Sequence, residues 1–211
     1  MFIFWGVMAA LVAALLFVIK DEKRARLEWV VKPAAALVFI GAGAYAGALT
    51  SAWGTVLFVG LILAAGGDVL LIPKNRRAFL GGLISFLLGH VAYAVAFAVR
   101  GIDWVWLGAA SGVCCVVAVP VLRWLWPQVE RPMRAPVAAY IVVITVMVAL
   151  AAGTVGAHGN PWILVGAVGF YLSDLAVARD RFVVSSFTNR LWGLPLYFFS
   201  QLLLASTAGS I

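Results

Sequence analysis

Apolar residues come in long runs along this chain, and short polar clusters separate them. The first run covers residues 2–19, and a charged cluster at 20–26 ends it. Runs at 32–49, 53–72, 78–99, 104–122, 135–152, 161–178 and 191–207 follow. About twenty apolar residues in a helix cross the hydrocarbon core of a bilayer. The pattern therefore predicts an all-α fold, a polytopic membrane bundle of about eight transmembrane helices. Pro33 falls where a first helical turn tolerates proline, so Lys32 and Pro33 are read as the opening of the second helix. Residues 153–160, which contain three glycines, are read as a loop.

Composition agrees with the pattern. Hydrophobic residues make up 65% of the 211 positions, well above the roughly half found in soluble domains. Eight spans leave no room for a separate soluble domain, so 1–211 is read as one integral membrane domain. The first run lacks a basic leader and a small-residue cleavage site, so it is expected to be a retained helix and not a signal peptide.

Charge adds orientation. The net charge is +7, which in a soluble protein would suggest nucleic acid. Here every lysine and arginine except Arg100 lies in or beside the loops after the odd-numbered runs. Such asymmetry marks the cytoplasmic side. It places both termini on the non-cytoplasmic side, suggests the inner membrane, and excludes nucleic acid as a partner. Cys114 and Cys115 are adjacent in an apolar run and have no metal-site spacing.

Two residues break the apolar pattern. Asp68 and Asp174 each sit in a run that carries no other acidic residue. A carboxylate inside a membrane is costly and usually faces the bundle interior, where it does something. At about 1.5 Å of rise per residue, each lies about 7 Å from the cytoplasmic end of its predicted helix. Tyr197 falls at about 9 Å by the same rule, with Gln201 one turn further. Tyr171 is one turn from Asp174 on the same face. His90 comes out at about 18 Å, too deep to pair directly with either aspartate, and Tyr93 is deeper again. Those two are expected at the far end of a cavity. Gly81, Ser85 and Gly89, like Gly169 and Ser173, have the small-residue spacing that lets membrane helices approach closely. The aspartates are 106 residues apart, each in the third helix of a four-helix half. Two halves, about 1–100 and 101–211, related by an axis along the membrane normal are one reading of this; coincidence is the other.

Several chemistries lack their equipment. Only His90 and His158 offer imidazoles, so a zinc site of the usual kind is hard to build. No Gly-x-Ser-x-Gly elbow is present. The expected site is a carboxylate pair working in acid–base chemistry, with no metal and no cofactor. A transporter or channel using the same aspartates as proton or cation sites is the alternative. A lipid-binding protein with structural aspartates is a third.

In order along the chain come Lys32-Pro33, Gly67-Asp68-x-x-Leu71, and Phe79-x-Gly81-Gly82-x-x-x-Phe86-x-x-Gly89-His90-x-x-Tyr93. Tyr171-x-Ser173-Asp174 and Tyr197-x-x-x-Gln201 follow. In this combination the chain resembles the YhhN/TMEM86-like lysoplasmalogenases, apart from residues 102–160, which carry no matching motif. The resemblance implies a membrane hydrolase of about eight helices. It would cleave the vinyl ether bond of a lysophospholipid, giving a fatty aldehyde and a glycerophospho-base. It also implies that the essential aspartates are Asp68 and Asp174.

That reaction suits the residues. A vinyl ether breaks when its β-carbon is protonated and water adds to the resulting oxocarbenium ion. Glycosidases meet the same cation with two carboxyls, one protonated and one charged. Tyr171 and Tyr197 are expected to orient the carboxyls or the water, with Ser173, His90, Tyr93, Asn75 and Gln201 in support. Lys32, Lys74, Arg76, Arg77, Arg179 and Arg190 are candidates for holding the phosphate, and for each a pure topology signal is an equal reading.

Overall fold

The computed structural model describes residues 1–73 and 75–209. Among them run eight long helices: α1 (Phe2–Ile19), α2 (Ala25–Tyr45), α3 (Ala52–Leu70), α4 (Arg76–Arg100), α5 (Trp104–Leu125), α6 (Arg131–His158), α7 (Pro161–Ala178) and α8 (Phe187–Thr207). No strand occurs among the described residues. A helix satisfies its own backbone polar groups, for which lipid offers no partners. Seven of the eight are long and apolar enough to cross a membrane. The remaining helix, α8, is 21 residues long but carries Asn189, Tyr197, Ser200 and Gln201, all buried. Its polar side chains turn inward, so its composition understates how well it belongs in the bundle.

Local chemistry explains most of the starts. Ser51, Asn75, Asp103, Asn160 and Ser186 each cap the helix that follows by accepting a backbone N–H. The expected start of α2 is wrong. That helix begins at Ala25, and Pro33 lies inside it. Nothing between Ala25 and Val31 breaks a helix, and a membrane bundle tolerates an interior proline. Lys32 is therefore a mid-helix residue and not a loop residue. The expected loop at 153–160 is also wrong. α6 continues to His158 and stops at Gly159, whose φ of 72° is the left-handed cap that glycine adopts freely. Gly156 gives room for the Trp106 ring of α5 instead of making a turn.

α3 packs chiefly on α4, and α7 on α8. α8 also touches α1, α2 and α3, while α5 leans chiefly on α6 and faces outward along most of its length. The core runs between them through Met8, Phe39, Leu57, Tyr93, Met147, Phe170 and Phe198. α3 and α4 meet closely because Gly67 lies under the Phe86 ring and Gly60 under Tyr93.

Candidate active site

A cavity of about 470 Å³ opens between these helices. Its lining comes from the ends of α1, α3, α5 and α7 and from the beginnings of α2, α4, α6 and α8. It therefore lies toward one face of the bundle, the face of the odd-numbered loops. Leu15, Leu83, Phe86, Leu125 and Ile144 give it an apolar wall. Both aspartates line it, each held by a different set of partners.

Asp68 is the more enclosed, at 2% exposure. The Tyr197 hydroxyl donates to its Oδ2 at 2.6 Å. Lys32 Nζ lies 3.5 Å from its Oδ1 and donates to its backbone carbonyl at 3.1 Å. Lys32 is itself only 6% exposed. Expected at the opening of α2, Lys32 instead sits two turns inside that helix, where it lines the cavity and pairs with Asp68.

Asp174 keeps more of its side chain open, at 12%. Its Oδ2 lies 3.1 Å from Nε2 of His90, an ion-pair distance without the alignment of a direct hydrogen bond. This overturns the expectation that His90 is too deep. Counting rise from helix ends assumes that all helices end at one height, and they do not. α3 stops two residues after Asp68, whereas α7 is continued beyond Ala178 by a turn that reaches Val183. α4 starts earlier than expected, with its exposed arginines outside the apolar stretch. The His90 ring is fully buried and stacked on Phe170, 4.1 Å between centroids. Tyr140 of α6 packs edge-on against that ring and turns its hydroxyl toward Asp174.

The other expected residues divide. Tyr197 and Ser173 line the cavity, although the Ser173 hydroxyl is turned back to the Phe170 carbonyl at 2.7 Å. Asn75 lies at the mouth and caps α4, 2.9 Å from the Ala78 N–H. Tyr93 donates to Gln201 Oε1 at 2.5 Å. Both are fully buried behind the cavity and do not line it. Tyr171 does not orient Asp174, because its hydroxyl faces Thr145 of α6. Of the candidate phosphate ligands, Arg190 lines the mouth and pairs with Asp180 at 3.5 Å, while Arg179 bonds Asn189. Arg76 and Arg77 lie outside the lining, and Lys74 lies outside the described residues. Arg181, not singled out from the sequence, does line the mouth and stacks over Phe79. Tyr140 was missed too. It is a single tyrosine in an apolar run, and nothing local distinguishes it from a core aromatic.

The fold and site define a multi-pass integral membrane protein with a one-sided cavity that holds one buried and one half-buried aspartate and their basic partners. The chain belongs to the YhhN family, whose model matches residues 27–208. It is 29% identical over 167 residues to the bovine (Bos taurus) protein named lysoplasmalogenase TMEM86A, covering 76% of this chain and 68% of that one. The human protein of the same name is 28% identical over 163 residues, 73% of this chain and 65% of that one. A lysoplasmalogenase of Mycobacterium tuberculosis (strain CDC 1551 / Oshkosh) is 33% identical over 142 residues, 65% of this chain and 52% of that one. No solved structure gives a significant match.

Proposed function

We propose that this protein hydrolyses the vinyl ether bond of lysoplasmalogens, releasing a fatty aldehyde and a glycerophospho-base, with Asp68 and Asp174 as its catalytic carboxyls. The observation that carries the proposal is the pair of aspartates on one cavity with an apolar wall and a polar mouth. A lysolipid has the matching form, since its vinyl ether lies just beneath the headgroup. Arg181 and Arg190 at the mouth suit a phosphate, and the apolar wall suits the chain. The names of the relatives support the same substrate class.

The chemistry asks for a proton at the β-carbon, a negative group beside the oxocarbenium ion, and a water to add to it. Two carboxyls in different settings meet the first two needs, and either can accept the proton that the water gives up. The one-sided lining favours an enzyme over a transporter, whose site would open alternately to both faces. We place the protein in the inner membrane with the cavity mouth on the cytoplasmic side.

Purified protein incubated with a 1-alkenyl lysophosphatidylethanolamine is expected to release aldehyde. Asp68→Asn and Asp174→Asn should each lower the rate by about 10²–10⁴-fold, the usual worth of general acid–base catalysis, while still eluting as folded protein in detergent. Wild-type turnover in either variant would sink the proposal.

A further inference from the structure

The two aspartates are not equivalent, and the difference lies in where protons can sit. His90 Nδ1 is 2.7 Å from the Phe86 carbonyl oxygen. A carbonyl only accepts, so Nδ1 must carry a hydrogen. A neutral ring then has a bare lone pair at Nε2. That nitrogen lies 3.1 Å from Asp174 Oδ2, at ion-pair distance and off the line of an ideal hydrogen bond. Neither atom makes a hydrogen bond with any other group among the described residues. With no proton between them, a lone pair would face a carboxylate oxygen, both atoms being buried. One proton resolves this, whether it rests on the carboxyl or on the ring. The ring cannot turn away, since it is stacked on Phe170 and flanked by Tyr140.

Asp68 is arranged the opposite way. Its Oδ2 accepts from Tyr197, and its Oδ1 faces the Lys32 ammonium. A proton on Asp68 would leave that buried ammonium without its counter-charge. The titratable groups around the Asp174–His90 pair are Tyr140 on α6, Tyr171 on α7 and Tyr197 on α8, and Asp68, Lys32, Arg181 and Arg190 line the same cavity. Lys32 is paired with Asp68, Arg190 with Asp180, and Arg181 stacks over Phe79, so among the described residues no lysine or arginine forms an ion pair with Asp174 in place of the shared proton.

We infer that Asp174 and His90 hold one proton between them and donate it to the substrate, while Asp68, fixed by Lys32 and Tyr197, remains the anion. This rests on the vinyl ether reading above. Asp174 is the catalytic residue, since it faces the cavity; His90, wholly buried, is a positioning residue that stores the proton. In the reaction the proton passes from Asp174 to the β-carbon. A C–H bond forms at the expense of the C=C π pair, and the α-carbon becomes the oxocarbenium centre beside Asp68. Water adds to that carbon, and its proton returns to the Asp174–His90 pair. The hemiacetal hydroxyl proton then passes to the glycerol oxygen as the C–O bond breaks. One water is consumed, and the donor is restored.

The test uses the full chain in detergent with His158→Gln, so that His90 is the only histidine, labelled with ¹⁵N at its ring. Near neutral pH the NMR spectrum should show Nδ1 protonated and Nε2 carrying or sharing a proton. In Asp174→Asn, Nε2 should become a plain acceptor. A wild-type ring with a bare Nδ1, or a spectrum unchanged by Asp174→Asn, overturns the inference. Turnover gives a second readout. His90→Gln should lower kcat by about 10²–10⁴-fold with KM within about threefold. An unchanged kcat, or a loss confined to KM, also overturns it. If the spectra come out as expected but the unmodified protein releases no aldehyde, the shared proton stands and the substrate reading falls.

Discussion

Lys32 and Asp68 are each nearly inaccessible to water, and each leaves the other as its main compensation. Removing one partner of such a pair costs more than removing both, because a lone buried charge remains. Lys32→Met should therefore destabilise the protein by about 3–5 kcal/mol. Lys32→Met combined with Asp68→Asn should recover much of that loss. Denaturant or thermal unfolding in detergent checks both; equal stability of the single and double variants would contradict the pairing. The residues were unequally legible. Asp68 and Asp174 stood out because a carboxylate in an apolar run is too costly to persist there without a role. Lys32 was hidden by Pro33, which imitated a helix start. His90 was seen but misplaced, because its height was measured from a helix end that does not share a level with the others.

At the scale of the helix, Gly67 fixes how near α3 comes to α4. A Cβ there would lie 2.6 Å from the Phe86 ring, whereas one at Gly81 would meet Leu70 at an ordinary 3.6 Å. Gly67→Ala should cost about 1–3 kcal/mol, as overpacking does, and should disturb the neighbouring Asp68. Gly81→Ala should be close to neutral or slightly stabilising, since alanine is the better helix former. Paired melting curves distinguish the two. Helix number and order were legible because a run of apolar residues has one solution in lipid. Helix ends were less so. The three glycines at 153–159 read alike as loop, whereas only Gly159 stops the helix and Gly153 and Gly156 are spaces for Ile102 and Trp106.

For the whole molecule, the charge asymmetry predicts a side for each loop. With Cys114 and Cys115 replaced by alanine, a cysteine at Ser185 should react with an impermeant thiol reagent only in inside-out vesicles. A cysteine at Gly159 should react in intact cells or right-side-out vesicles. The reverse result would invert the protein.

Several helix contacts have a counterpart in the other half, although α1 packs on α8 with no comparable packing of α5 on α4. α3 on α4 matches α7 on α8, α1 on α2 matches α5 on α6, α2 on α3 matches α6 on α7, and α2 on α8 matches α6 on α4. Lys32 and Tyr140, Asp68 and Asp174, and His90 and Tyr197 are separated by 106 to 108 residues. We propose that the chain is built of two four-helix halves, α1–α4 and α5–α8, which meet in part through the hydrogen bond from Tyr93 of the first to Gln201 of the second. Each aspartate is then gripped by the fourth helix of the opposite half. A half by itself would own a carboxyl and lack its clasp. Two identical halves in a homodimer could complete both pockets, but would be bound to make them alike. In a single chain the pockets need not be alike, and here one aspartate is paired with a lysine and the other with a histidine. Division of labour between an anion and a proton carrier is open to a single chain and closed to a symmetric pair of identical halves.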